Sequence, residues 1–393
     1  MIKFGNGRGR WIYLFPALMD FSLAALSLFG VLKAAEMGAS AFLLGALGAV
    51  WGLVYFLVSL LLGRLINASN RYASMIAGCL LMVLVTVGLM WADRLALLFF
   101  FFALYGVAAS LFYIGFQLFM AERVRLPIHQ ACGFYTLSWS LGIGAGSLAQ
   151  GYLVTRGPVA ALMPAVLSSL LVILVLEIDR HWPIRPGPTG PDPAEPPGPP
   201  VPASRRALFV RLGWLLFLNA SFIGIAIRIL VPKLILDLPG SGPAAAGTLV
   251  CLVFSIQAVS GFLLSGRHTL NYGFRPILAT SLAGGAGLLA AWLWPGWPGM
   301  LTLAAGFGLY CGYAYSAGVF YALSQTEQSG RNIGINEAIV GVAGVLGPLA
   351  GGAALDRGPD VFHAAMLSFF LLLLAGQGLL FARSRRRPDE TRG

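Results

Sequence analysis

The chain of 393 residues is 58% hydrophobic and only 10% charged, and it has a formal net charge of +11. Because an ordinary soluble domain carries about a quarter charged residues, this composition excludes a protein whose main solvent is water. The positive charge is spread over short segments between apolar runs and forms no single stripe, which argues against nucleic-acid binding. The composition therefore indicates an integral membrane protein.

Apolar segments of roughly 20 residues, the helical length that crosses a hydrocarbon core of about 30 Å, recur along the whole chain. They are apolar at nearly every position, whereas the strands of a membrane barrel alternate with a polar side. In chain order the predicted helices are 11–33, 40–62, 72–92, 95–120, 131–154, 159–178, 208–231, 243–265, 276–294, 299–322, 332–354 and 360–381. The sequence thus predicts an all-α membrane protein with twelve transmembrane helices in two pseudo-symmetric six-helix bundles.

A proline-rich segment separates the two predicted bundles. Ten of the twenty residues of Pro183–Pro202 are proline, and such a segment cannot bury enough apolar surface to order itself. We therefore expect a linker between two units. The expected domains are an N-terminal bundle at 1–180, a cytoplasmic linker at 181–206, a C-terminal bundle at 207–382 and a basic cytoplasmic tail at 383–393.

The basic residues that flank the helices predict orientation, since cytoplasmic loops hold the excess of Lys and Arg. With the N-terminus inside, about twenty of the 26 basic residues fall on the cytoplasmic side. Those expected at the other face are Lys33, Arg94, Arg156, Arg228, Lys233 and Arg357. We expect a multi-pass protein of the bacterial inner (plasma) membrane with both termini in the cytoplasm.

The two predicted halves share a sequence pattern. Matched positions in the fifth and eleventh helices are Gly133 with Gly334, Gly146 with Gly347, and Gly151 with Gly352. A second match sets Gly63 over Gly266, at the ends of helices two and eight. Parallel six-helix halves with a site between them are the architecture of alternating-access carriers.

These residues resemble the major facilitator superfamily over nearly the whole chain. In the family's G-x-x-x-D-R-x-G-R-R motif after helix two, Gly63, Asn67, Asn70 and Arg71 stand at the positions of the first Gly, the Asp, the second Gly and the following basic residue. The second copy keeps Gly266, Gly273 and Arg275. Its G-P-x-x-G-G motif is matched in helix eleven at Gly347, Pro348, Gly351 and Gly352. The resemblance implies the fold of the family and a transport function.

The resemblance also implies a gate at the cytoplasmic face, with acid and base pairs after helices four and ten. The implied gating residues are Gly63, Asn67, Arg71, Glu122, Arg125, Gly266, Gly273, Arg275, Glu327 and Arg331. Asn67 stands where the family has Asp. We therefore expect the contact between halves that this acid stabilises to be weaker here or supplied elsewhere.

Ionisable residues inside apolar helices are costly unless they face a wet cavity or a partner. Asp20, near the middle of helix one, is the first candidate for proton coupling, with a structural hydrogen bond to a neighbouring helix as the alternative. Glu337 in helix eleven is the second, and closing the inner gate is its alternative role. Arg228 near the outer end of helix seven either extends to the membrane interface or turns inward and attracts anionic solutes.

The uncharged polar candidates come from the resemblance, which implies that helices one, four, seven and ten line a central cavity. With Arg228, the expected substrate-binding residues are Tyr113, Gln117, Asn219, Ser221, Tyr310 and Tyr313, with Ser316 as a further candidate. Gln257 of helix eight and Tyr135 of helix five are secondary candidates from the flanking helices. Tyr310 and Tyr313 are three residues apart and share a helix face, as do Tyr113 and Gln117 at a spacing of four.

The expected function is secondary active transport of a small organic solute by alternating access, coupled to protons. A transport-inactive scaffold or sensor with the same fold, and a drug or metabolite efflux carrier, remain alternatives. No enzyme activity is expected, because the four histidines and four cysteines have no metal-ligand spacing and no P-loop occurs. The expected partners are a small-molecule solute, the lipid bilayer and protons. We expect no nucleic acid, metal or cofactor to bind, and we expect the protein to be a monomer.

Overall fold

The computed structural model describes residues 10–123, 126–181, 201–266, 270, 272–324 and 329–385. Its twelve helices are α1 Leu14–Glu36, α2 Ala41–Leu62, α3 Arg71–Met90, α4 Leu95–Arg123, α5 Ile128–Leu153, α6 Pro158–His181, α7 Ala203–Leu236, α8 Pro243–Leu264, α9 Phe274–Leu293, α10 Trp297–Leu323, α11 Ser329–Leu355 and α12 Pro359–Arg385. The twelve predicted helices are confirmed, and α7 is the one that most exceeds its predicted length. Most of the proline-rich linker and of the basic tail lies outside the described residues.

Ten of these helices are long and apolar enough to cross a membrane. The other two, α5 and α10, contain many Gly, Ser and Tyr residues, together with Gln in α5. Both pack between other helices, α5 against α1 and α8, and α10 against α8 and α9. Protein contacts therefore replace lipid around much of their surface, which is where small and polar side chains are tolerated in membrane bundles.

The helix pairings of the first half recur in the second. The contacts of α1 with α5, α2 with α4, α3 with α4 and α3 with α6 reappear as α7 with α11, α8 with α10, α9 with α10 and α9 with α12. Each recurrence lies six helices later in the chain, as a duplicated unit requires. The predicted arrangement in two six-helix bundles is confirmed.

The halves meet through α2 against α11 and through α5 against α8. We call the end of the molecule where α6 ends and α7 begins the linker face. The opposite end, where α1 ends and α2 begins, is the far face. Both inter-half pairs are in contact near the far face, so the two bundles are closed against each other there.

Glycines permit this close approach. A Cβ atom built on Gly52 of α2 would lie 2.6 Å from the carbonyl carbon of Gly344 in α11. On the other inter-half pair, a Cβ atom on Gly151 of α5 would lie 3.0 Å from the Cα atom of Gly247 in α8. Any larger side chain at these crossings would push the two backbones apart.

An acid from the second half caps a helix of the first half at the far face. The carboxylate of Asp356, just after α11, accepts hydrogen bonds from the backbone N–H groups of Ala41 at 2.7 Å and Phe42 at 3.0 Å. These groups begin α2, where backbone N–H groups have no partner within the helix and the helix dipole favours negative charge. Asp356 thus stabilises the closed far face.

Candidate functional site

A cavity of about 390 Å³ lies between the two halves. Residues of both bundles line it, from α1, α2, α4, α5, α7, α8, α10 and α11. Its lining reaches Met120, Leu126 and Leu323, close to the linker-face ends of α4 and α10 and to the start of α5. The cavity therefore extends from the middle of the bundle toward the linker face, while the far face is closed.

Asp20 projects into this cavity from α1, and its side chain is only 6% exposed. Its Oδ2 atom accepts a short hydrogen bond from the hydroxyl of Tyr113 in α4. Both residues belong to the first half. The carboxylate thus faces a void that extends toward the linker face, and it is held by a neighbouring helix.

Glu337 connects the two halves across the same cavity. From its place on α11 it accepts hydrogen bonds from the Tyr55 hydroxyl of α2 at 2.9 Å and from Nε2 of Gln117 in α4 at 2.9 Å. Each carboxylate oxygen has one donor, and both donors come from the other half. A movement of one bundle against the other would have to stretch or exchange these bonds.

Arg228 turns inward. Its side chain lines the cavity, and its guanidinium carbon lies 5.2 Å from the ring centroid of Trp51 in α2, a cation–π arrangement. Because Trp51 belongs to the first half, this is also a contact between halves. Arg228 therefore does not extend to the membrane interface.

Five of the predicted substrate-binding residues do not line this cavity. They are Asn219, Ser221, Gln257, Tyr310 and Tyr313, and the further candidate Ser316 is also absent from the lining. All are buried. Asn219 donates to the carbonyl of Phe370 at 3.4 Å and Tyr310 to that of Leu216 at 3.4 Å, so both face the interior of their own bundle. Their placement corrects the expectation that they form the cavity wall.

Two of these residues lie between the halves instead. Nε2 of Gln257 in α8 donates to the Ser140 hydroxyl of α5 at 2.8 Å, and the Ser316 hydroxyl of α10 lies 3.2 Å from the Thr136 hydroxyl of α5. Polar groups buried in a membrane bundle need partners, and here each finds one in the opposite bundle. They therefore belong to the interface between the two bundles.

The described members of the predicted gating set lie at the linker face, either in its loops or in the first turns of α3, α9 and α11. Asn67 shapes the turn after α2, since its Oδ1 atom accepts the backbone N–H of Ser69 at 2.9 Å. Arg71 donates to the Ala68 carbonyl at 2.9 Å. The remaining described members are Gly63, the C-cap of α2; Gly266; Gly273, the N-cap of α9; and Arg275 and Arg331, which are exposed. Arg125, Glu327 and the side chain of Glu122 lie outside the described residues, and the gating role stays a prediction.

Sequence reasoning missed several residues of the cavity wall. Trp51 and Tyr55 are one turn apart on α2, and Trp139 of α5 packs against Tyr315 of α10 with ring centroids 5.0 Å apart. The expected set of lining helices did not include α2, and α10 presents Tyr315 where Tyr310 and Tyr313 were expected. An amphipathic aromatic in an otherwise apolar helix was the available signal.

The side chains of the site are of the kinds that can bind a small ligand and exchange protons. The site combines two carboxylates, one guanidinium, several phenol hydroxyls and two amides with a largely aromatic wall. The described residues contain no group of three or more His, Cys, Asp or Glu that could hold a metal ion. The arrangement suits a small ligand that is enclosed by aromatic side chains and oriented by a few polar groups.

A duplicated twelve-helix bundle around one charged cavity defines the class as a membrane transporter. The sequence matches the Major Facilitator Superfamily over residues 11–326, which is most of its length. The chain therefore belongs to this superfamily. Membership in a family of transporters identifies it as a transporter and not an enzyme. A search of curated proteins returns no match.

Solved structures that the chain resembles include transporters. A mutant form of the nucleoside transporter NupG aligns with a TM-score of 0.66 and 12% identity over 95% of this chain and 99% of that one. A bacterial homolog of the human lysosomal transporter Spinster, inward-facing and occupied, aligns with a TM-score of 0.60 and 14% identity over 97% and 98%. Its inward-facing, unoccupied form aligns with a TM-score of 0.60 and 16% identity over the same shares. At these identities the likeness concerns the fold.

Proposed function

We propose that this chain is a proton-coupled secondary active transporter that moves a small organic solute by alternating access. The observation that carries the proposal is Asp20, an acid that faces the inter-half cavity between a closed face and an approachable one. A carboxyl group in this position can exchange a proton with water that enters the cavity. Because the Asp20 carboxyl group is otherwise buried, it exchanges protons only with the side of the membrane to which the cavity is open.

The proposed cycle rocks one bundle against the other. With the linker face in the cytoplasm, as the basic residues predict, the closed far face and the cavity toward the linker face correspond to an inward-facing state. Opening the far face would release Asp356 from the start of α2 and separate Gly45 of α2 from Pro348 and Gly352 of α11. These contacts supply a far-face closure that does not depend on the loop containing Asn67.

Glu337 has the second role in the proposal. Its two hydrogen bonds cross from one bundle to the other, so protonation of its carboxyl group or displacement by a solute would change how strongly the bundles hold together. Asp20, whose bonded partner Tyr113 belongs to the same half, lacks that direct tie. We therefore assign proton exchange to Asp20 and the transmission of its state between halves to Glu337.

We place the protein in a bacterial inner membrane with both termini in the cytoplasm. The carrier is a monomer of two domains, at 1–180 and 207–382, joined by the linker at 181–206. The surroundings required are a lipid bilayer, a proton gradient and the solute. A scaffold or sensor with the same fold would bind a ligand without moving it, and an efflux carrier would move it outward.

The test begins with a thermal-shift screen of the purified protein against amino acids, sugars, nucleosides and organic acids at two pH values, because a ligand stabilises the fold it binds. Uptake of the stabilising solute is then measured in proteoliposomes with and without a pH gradient. Asp20→Asn should lose gradient-driven accumulation and keep solute exchange, since exchange requires no net proton movement.

The matched control is Asp179→Asn. Asp179 is another buried acid of the first half, bonded to the Tyr72 hydroxyl at 2.6 Å and absent from the cavity lining. It should keep both activities. Accumulation by Asp20→Asn equal to that of the wild type would remove Asp20 from the coupling role, and binding without uptake or exchange would favour the scaffold.

A further inference from the structure

Arg228 is the charged group of the cavity that has neither a hydrogen-bond partner nor an ion pair among the described residues, although the charge of Asp20 acts on it from a longer distance. Its Nε atom is buried without a hydrogen bond, and no described acid lies within ion-pair distance of its guanidinium group. The face of the Trp51 ring attracts the positive charge but accepts no N–H bond of ordinary strength. A half-buried guanidinium with five donors is thus left incompletely satisfied.

The two cavity acids differ from Arg228 in this respect. Asp20 accepts the Tyr113 hydroxyl, and Glu337 has a separate donor on each oxygen. An organic cation that bound Glu337 would have to displace Tyr55 or Gln117, and it would meet the repulsion of Arg228. An anion that bound Arg228 would displace no hydrogen bond of a described residue, and the repulsion that it meets from the Asp20 carboxylate disappears when that acid is protonated.

We propose that the solute is an organic acid, whose carboxylate binds the guanidinium of Arg228 and whose apolar or aromatic body lies against the ring-lined wall. This inference rests on the proposed transport function and names its substrate class. A carboxylate matches the planar fork of an arginine, so that two parallel N–H···O bonds can form. It would supply the partner that the protein itself does not.

The wall of the cavity fits the body of such a solute. Besides Trp51 and Tyr55, the aromatic residues that line the cavity with Asp20 and Arg228 are Tyr113, Tyr135, Trp139, Phe217, Phe254 and Tyr315. Ring-to-ring contacts with offset or edge geometry add to the energy of burying an aromatic body. The volume of about 390 Å³ is at the small end of ligand pockets, which favours a body of one or two rings or a short chain.

The position of Arg228 also explains how binding would reach both halves. Its helix, α7, belongs to the second half, whereas Trp51 belongs to the first. A carboxylate that draws the guanidinium away from the Trp51 ring would weaken one contact between halves. Solute binding would then act directly on the surface across which the bundles move.

The test uses three probes with one ring and different charge: benzoate, benzamide and benzylamine. Their binding to the full-length purified protein is followed by thermal shift and by tryptophan fluorescence, since Trp51 lies beside Arg228. We expect benzoate to stabilise the protein in a concentration-dependent way, and benzamide and benzylamine to have little effect. This comparison needs no variant and does not depend on how any variant folds.

Substitutions then locate the carboxylate. Arg228→Gln should weaken benzoate binding by at least about tenfold, the loss expected for a charge-assisted pair, and Arg228→Lys should fall between, because it keeps the charge without the fork. The matched control is Arg206→Gln, which removes an exposed arginine of the same helix and should leave binding unchanged. Melting without ligand shows whether each variant is folded.

Three results would overturn the inference: stabilisation by benzylamine in place of benzoate, no stabilisation by any probe, or equal benzoate binding by wild type and folded Arg228→Gln. The proposed function is judged separately, by exchange in proteoliposomes. Benzylamine exchange would leave a transporter with a different substrate class. Benzoate binding at Arg228 without exchange or uptake would leave the binding site and remove the transport function.

Discussion

The Tyr55 hydroxyl of the first half donates to the Glu337 carboxylate of the second half across 2.9 Å. Tyr55→Phe removes this donor and leaves Glu337 with Gln117 alone. Hydrogen bonds between helices in a membrane core contribute about 0.6 kcal/mol on average, and those to charged groups up to about 3 kcal/mol. We expect the thermal unfolding midpoint of the detergent-solubilised protein to fall accordingly.

The control for this prediction is Tyr135→Phe. It removes another hydroxyl from the cavity lining, one that makes no hydrogen bond to a described residue. Equal midpoints for the two variants would mean that the bond to Glu337 adds no stability. A larger loss in Tyr135→Phe would contradict the assignment of the donor.

The far face should open more readily when Asp356 loses its carboxylate. Asp356→Ala removes two charge-assisted bonds to the start of α2, which stabilise only the closed arrangement. Since 1.4 kcal/mol changes an equilibrium tenfold, a shift of about tenfold or more toward the open far face is expected. Spin labels at positions 36 and 360, both exposed, report the distance between the halves after the half-exposed Cys251 is replaced.

Asp237→Ala is the matched control for that experiment. This acid also lies at the far face, but its carboxylate pairs with Lys233 of its own helix at 3.3 Å. Its removal should not change the distance distribution. If Asp356→Ala gives the same distribution as Asp237→Ala, the cap does not hold the far face closed.

A side chain at the α2 and α11 crossing should act in the same direction by a steric route. In Gly52→Ala the added methyl group would lie 2.6 Å from the carbonyl carbon of Gly344, so the backbones must separate. The same label pair should show a larger open fraction. Gly378→Ala serves as the comparison, because nothing lies within 4 Å of a Cβ atom there, and a closed distribution in both variants would exclude the steric effect.

The bond between Gln257 and Ser140 should support stability and leave solute affinity intact. A double-mutant cycle of Gln257→Ala and Ser140→Ala should give a coupling energy of about 0.5–1.5 kcal/mol, the range for a polar pair in a membrane bundle. Affinity for the solute that the thermal-shift screen identifies should be unchanged within about twofold. Additive single effects would exclude the bond, and a large loss of affinity would return Gln257 to the binding site.

The fold could be predicted from the sequence because lipid constrains it so strongly. Each transmembrane segment must form its backbone hydrogen bonds internally, as a helix does. The resulting long apolar runs mark the positions of the helices to within a few residues. Asp20 and Glu337 were equally visible, since an acid in such a run stands out. The sequence does not show which face of a helix meets the cavity when all faces are apolar, and α10 therefore presents Tyr315 where Tyr310 and Tyr313 were expected.

Contacts between halves were also invisible in the sequence. Asp356 reads as an ordinary loop acid, and its distance of 2.7 Å to the amide nitrogen of Ala41 joins residues from opposite ends of the chain. The sequence leaves two orientations open for the Arg228 side chain, and its contact with Trp51 of the other half shows which of them occurs. Such relationships depend on how two bundles dock, and no local pattern encodes that.

The polar composition of α5 and α10 has a consequence for biogenesis. Neither helix is among those apolar enough by composition to cross a bilayer, so the translocon should release them into lipid poorly when each is presented alone. For α10 the packing partners α8 and α9 are already synthesised, whereas α5 must rely on α1 until α8 emerges. Early assembly of the first bundle around α1 is therefore a requirement of synthesis as well as of the mature fold.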